Sequence, residues 1–156
     1  MNKRLIHYLI AVSCLLLITT ALILVLNTRP AFDAEQTEFL NNAITDNQDF
    51  QFRINAVSRQ NKKISYEIQN TSDQHITCMY KAFLQMKQGD EWQALKIKGD
   101  SDLSPLSRIL PGQLHVSWFR WEPVYGTLRP GEYRLVTMIS PDQGEPFYIA
   151  AEFEIK

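Results

Sequence analysis

The chain has 156 residues, with 16 basic and 17 acidic side chains and a formal net charge of −1. That balance gives no electrostatic footprint for nucleic acid, which needs a basic patch or stripe. A content of 45% hydrophobic and 11% aromatic residues is enough for a core and excludes global disorder.

The first thirty residues stand apart. Residues 1–8 form a basic flank with Lys3 and Arg4, and residues 9–26, LIAVSCLLLITTALILVL, carry no charge. A helix of that length, at about 1.5 Å per residue, spans roughly 27 Å, close to the ~30 Å of bilayer hydrocarbon. Ser13, Thr19 and Thr20 are expected to bond their own helix backbone. A cleaved signal peptide would have a shorter apolar run and a small-residue site, but Thr19-Thr20-Ala21 is followed by LILVL. A lipobox at Ala11-Val12-Ser13-Cys14 would be followed by polar sequence, and the apolar run continues instead. The reading that fits is an uncleaved transmembrane anchor whose first partner is membrane lipid. Lys3 and Arg4 before it, against Arg29, Asp33 and Glu35 after it, put the N-terminus in the cytoplasm. The expected location is therefore the cell membrane, single-pass, with the C-terminal domain extracytoplasmic.

Residues 27–49 read as a linker with a short helix. Asp33, followed three residues later by Gln36, resembles a capping box. Phe39, Leu40, Ala43 and Ile44 then recur at helical spacing, predicting a short amphipathic helix over about 34–44. It either packs on the domain or acts as a stalk.

From residue 50 to 156 the pattern has period two. Phe50, Phe52 and Ile54 alternate with polar residues, as do Ile64, Tyr66 and Ile68, and Phe147, Ile149, Ala151, Phe153 and Ile155 share one parity. Turn residues separate about seven strands, near 50–57, 62–69, 75–87, 91–97, 113–121, 132–139 and 146–155. Short strands with frequent turns and no helix between them predict an all-β, antiparallel β-sandwich. Cys14 falls in the apolar segment and Cys78 is alone in the outer domain, so that domain folds by burial rather than disulfides.

LRPGEYRLV, residues 128–136, is the most specific local signal. In immunoglobulin-like sandwiches a tyrosine near the start of strand F turns its hydroxyl onto the backbone of the preceding corner. Leu128, Pro130, Gly131 and Tyr133 stand in the order such a corner needs; an ordinary hairpin with a core tyrosine is the alternative. IQNTSDQ, EWQAL, LPG, VYGTLRPGEYRLV and FYIAAEFEI together resemble a bacterial immunoglobulin-like domain over about residues 50–156. The resemblance implies that fold in a membrane-anchored or exported protein, chiefly of Gram-positive bacteria. It implies no catalytic residues.

The remaining chemistry is sparse. His75 and His115 have no second ligand at metal spacing, and no nucleophile elbow or phosphate loop occurs. Gly99-Asp100-Ser101-Asp102 has too few oxygens for calcium. No catalytic residue, cofactor or metal is expected, and the chain reads as a non-enzyme. Val116-Ser117-Trp118-Phe119-Arg120-Trp121 stands out because its bulky residues cannot all point into one core. Phe119, Arg120 and Trp121 are therefore the candidate partner-binding residues; the competing reading has these aromatics filling the end of the sandwich. The expected function is a membrane-anchored extracytoplasmic module that binds or scaffolds an envelope protein or cell-wall polymer. The alternative is an accessory regulator or inhibitor of an envelope enzyme or sensor.

Overall fold

The alternating segments form eight strands among the described residues: β1 Phe50–Ser58, β2 Lys63–Asn70, β3 Ile76–Gln88, β4 Glu91–Ala94, β5 Ser107–Ile109, β6 Leu114–Arg120, β7 Gly131–Pro141 and β8 Phe147–Ile155. The computed structural model describes residues 12–20, 30–46, 48–99 and 106–156, without the side chains of 79–81. Two compact units result, Met1–Pro30 and Ala31–Lys156.

In the first unit residues 12–20 are helical. The Thr19 hydroxyl donates to the Leu16 carbonyl at 2.9 Å, and the Thr20 hydroxyl to Leu16 and Leu17 at 2.9 and 3.0 Å. Both hydroxyls thus lie satisfied on their own backbone. Among the described residues no helix is long and apolar enough to cross a membrane. The rest of the expected 9–26 segment, its basic flank and Arg29 lie outside the described residues.

The second unit is an antiparallel sandwich. One sheet has the order β1-β2-β6; the other has the order β4-β3-β7-β8, with β5 also pairing β3. Between them lie Ile64, Leu84, Trp121, Tyr133 and Leu135 toward one end, and Ile68, Ile76, Ile109, Ile139 and Ile149 toward the other. Strand β3 changes register against β7 between Cys78 and Ala82. Pairings of Cys78 with Ile139 and Ala82 with Thr137 place two extra residues in β3. An even insertion preserves parity, so Ile76, Cys78, Leu84 and Met86 all face the interior.

Helix α1, Ala34–Ala43, closes the outer face of the larger sheet. Its N-terminus is fixed by Asp33, whose carboxylate accepts the Gln36 N–H at 3.0 Å. Leu40, fully buried, enters a third cluster with Phe83, Ala94 and Val136. Burying that side chain contributes about 1.5–3 kcal/mol. This second layer explains why Val136 is buried between inward-facing Leu135 and Thr137, where an uncovered sheet would alternate. The helix packs on the domain and is no stalk.

Three elements differ from the sequence expectation. Strand β5 is only three residues long and offers no period to read. The one-turn helix α2, Glu122–Tyr125, follows β6 directly. Strand β4 also ends at Ala94 rather than near residue 97.

Candidate interaction surface

Strand β6 is patterned inside out. Its register against β2 sets His115 opposite Ile68, Ser117 opposite Tyr66 and Phe119 opposite Ile64, which fixes those three as inward. Phe119 packs edge-to-face on Tyr125 at 6.3 Å, Ser117 hydrogen-bonds the Tyr66 side chain, and burial lowers the pKa of His115. The outward residues are the apolar ones: Leu114, Val116 and Trp118 are 52%, 57% and 45% exposed.

The expected partner-binding set is therefore corrected. Trp121 is only 2% exposed and belongs to the core with Val124, Tyr125 and Leu128. It lies beyond the end of β6, in helical backbone at the N-cap of α2, so its ring closes the end of the sandwich. Phe119 shares its inward parity. Of the three residues, Arg120 alone is exposed, and the aromatic beside it on the surface is Trp118. The Lys63 ammonium and Arg120 guanidinium stand 5.2 and 5.6 Å from the Trp118 ring. The signal for this lay in the alternation of Leu114, Val116 and Trp118 against His115 and Ser117, but apolar parity alone assigns those two faces the wrong way round.

At the LRPGEYRLV corner, the Tyr133 hydroxyl donates to the Arg129 carbonyl at 2.7 Å. The ring stacks on Phe153 at 5.7 Å, and Leu128 is buried beneath it. Gly131 has φ +154°, and a Cβ there would sit 2.7 Å from the end of Met86. A side chain at that position would be strained and would displace Met86.

Elsewhere the polar groups are structural. Asn70, fully buried, donates to the carbonyls of Gln74 and Ile109 at 2.8 and 3.1 Å and accepts from the Ser72 N–H and hydroxyl. Its amide is consumed in joining two loops. Arg108 donates to Asp142 and contacts His75 Nδ1, each at 2.7 Å, on the exposed surface. Among the described residues no three metal-ligating side chains gather; Asp100, Ser101 and Asp102 lie outside them.

Two antiparallel sheets packed over a shared core, with a tyrosine corner entering β7, define a sandwich of the immunoglobulin-like class. The family model for the bacterial Ig-like domain matches residues 45–154. The chain belongs to that family. Nothing matches among curated proteins. Similar solved structures include a chaperone–tip adhesion subunit pre-assembly complex of Csu pili from Acinetobacter baumannii, at 14% identity and TM-score 0.37, covering 66% of this chain and 55% of that one. The putative ApaA protein of Bordetella pertussis is 16% identical with TM-score 0.37, over 68% of this chain and 88% of that one. A β-glucosidase from Kluyveromyces marxianus is 14% identical with TM-score 0.30, over 65% and 15%. These likenesses are distant, and none bears on function.

Proposed function

We propose that this chain is a membrane-anchored, extracytoplasmic immunoglobulin-like module that binds or scaffolds another component of the cell envelope and performs no catalysis. The observation that carries the binding reading is the inverted strand β6, with Leu114, Val116 and Trp118 turned to solvent on a sheet whose inner face is already filled. Exposed aromatic and aliphatic residues beside an arginine are the side chains that dominate protein interfaces. The anchor reading rests on the uncharged run 9–26 and the charges that flank it.

Protease added to intact spheroplasts tests the topology: the expected result is loss of the domain from the membrane fraction. Full protection would invert the topology, and release without protease would mean cleavage. Cross-linking in cells from the outer domain tests the binding. A scaffold gives several partners or cell-wall polymer, whereas a regulator gives one stoichiometric enzyme.

A further inference from the structure

Sheet edges carry unpaired backbone donors and acceptors, and folded proteins cover or blunt them. The larger sheet follows this rule. Along β4, the Asp33 N–H reaches the Ala94 carbonyl at 2.9 Å, Thr37 Oγ1 accepts the Ala94 N–H at 2.8 Å, and the Asn41 amide reaches the Trp92 carbonyl at 3.1 Å. Along β8, the Thr45 N–H bonds the Tyr148 carbonyl at 2.9 Å. In the smaller sheet, β1 is broken by a bulge between Ile54 and Ala56, and its outward side chains Gln51, Arg53 and Asn55 are polar.

Strand β6 has none of these protections among the described residues. The Asn70 N–H bonds the Gln113 carbonyl, and the Trp121 N–H bonds the Lys62 carbonyl, at the two ends of its ladder with β2. In an antiparallel ladder the bonded pairs alternate. His115, Ser117 and Phe119 therefore bond β2, while the N–H and C=O groups of Leu114, Val116, Trp118 and Arg120 point away from the sheet. The same residues expose their side chains, so backbone and apolar contacts become available at one seam. No bulge, proline or charge interrupts it before Arg120.

The charge at the Arg120 end of the seam selects the occupant; Glu67, opposite Val116, already accepts the Asn55 amide at 3.0 Å. Lys63 and Arg120 both approach Trp118, and neither forms an ion pair among the described residues. Covering that ring draws both cations out of water, a cost that an opposing carboxylate offsets. The β6 of a second copy, LHVSWFR, would bring matching apolar residues and no anion.

We propose that the free edge of β6 is a strand-addition site for an extended segment of a partner protein, apolar at alternate positions and carrying an acidic side chain that meets Lys63 and Arg120. This deepens the binding reading above and rests on it.

The test uses the full chain in detergent and a displayed library of random ten-residue peptides. The expected outcome is a consensus that alternates apolar residues and includes an Asp or Glu. A synthetic consensus peptide at about ten times its Kd should then slow amide exchange at Leu114, Val116, Trp118 and Arg120 about tenfold, leaving His115, Ser117 and Phe119 unchanged. Val116→Pro should abolish that slowing while preserving the ladder, because the amide it removes faces away from β2. Val116→Glu serves the same purpose, through repulsion of the incoming acid, if the proline variant does not fold. The proposal is overturned if no peptide is enriched, if the consensus lacks an acid, or if binding survives both substitutions. It is also overturned if the four outward amides are protected without peptide, whether at all concentrations or increasingly as the chain self-associates. In-cell cross-linking separates the two levels. A Val116→Pro chain that still captures the wild-type partner removes this site and leaves the binding function standing. A wild-type chain that captures nothing removes the binding function itself.

Discussion

The hydroxyl of Tyr125 accepts the backbone N–H of Leu84 at 3.1 Å inside the sandwich. On the same residue the Leu84 carbonyl takes the N–H of Leu95 at 2.9 Å, one step beyond the end of β4. A side chain thus completes the strand's hydrogen bonding where the neighbouring ladder stops. Helix α2, one turn with Pro123 near its start, places Tyr125 at this position.

Tyr125→Phe should therefore leave the Leu84 N–H buried and unpaired, at a cost of about 1–3 kcal/mol. Urea unfolding measures it as a lowered midpoint with an unchanged slope. An unaltered midpoint would show that this hydrogen bond contributes nothing net.

Tyr133 makes the opposite kind of bond, donating its proton to the Arg129 carbonyl. Tyr133→Phe should cost about 0.5–1.5 kcal/mol, since the Arg129 carbonyl loses the tyrosine's hydrogen bond. Tyr133→Ala also removes the ring stacked on Phe153 and should cost about 3–5 kcal/mol. Equal losses in the two variants would mean that the ring contributes little.

The two tryptophans at the end of β6 should separate cleanly. Trp121→Ala opens a cavity among Val124, Tyr125 and Leu128 and should lower stability by about 3–5 kcal/mol. Trp118→Ala, on the solvent face, should stay within about 0.5 kcal/mol of wild type. Thermal melts of both variants, side by side, decide it. A large loss for Trp118 would place its ring in the core instead.

Alkaline pH should unfold the domain through groups that burial holds protonated. Cys78 is pushed up to about 12 by burial, and Tyr125 to about 12 by burial that outweighs its bond to Leu84. Both pKa values are raised in the folded state, so the unfolded chain releases its protons first. Their stabilising contribution is complete below about pH 9 and is lost as pH rises toward 12. Denaturant midpoints measured across that window should fall, and Cys78→Ala should flatten the early part of the decline. The buried thiol should also resist a bulky maleimide until the domain is unfolded.

Local chemistry made most of this fold legible. The Asp33 cap, the alternation in β1, β2 and β8, and the Leu-Arg-Pro-Gly-Glu-Tyr corner are set by residues within a few positions of one another. The elements that differ from the local pattern are those where distant contacts decide. Ser107-Arg108-Ile109 becomes a strand because β3 accepts it. Glu122-Pro123-Val124-Tyr125 is too short to show a helical period, yet it forms a helix that carries a core tyrosine. On β6, parity was readable, but which parity faces inward depends on register against β2. That register turns Phe119 inward and leaves Trp118 to solvent, while Trp121 is buried just beyond the strand.

The strap formed by residues 31–45 has a consequence in time. It is the first part of the domain to be synthesised, yet its bonds go to Ala94 and then to Tyr148, near the end of the chain. Its docking surface, built on Phe83, Ala94 and Val136, is not complete until β8 has been made and paired. The earliest segment translated is thus the last that can settle, and closing so long a loop late is a slow step. Until β3, β4 and β7 are paired, Leu40 and its partners Phe83, Ala94 and Val136 remain open to solvent, and β8 then adds Tyr148 and Ala150 at the margin.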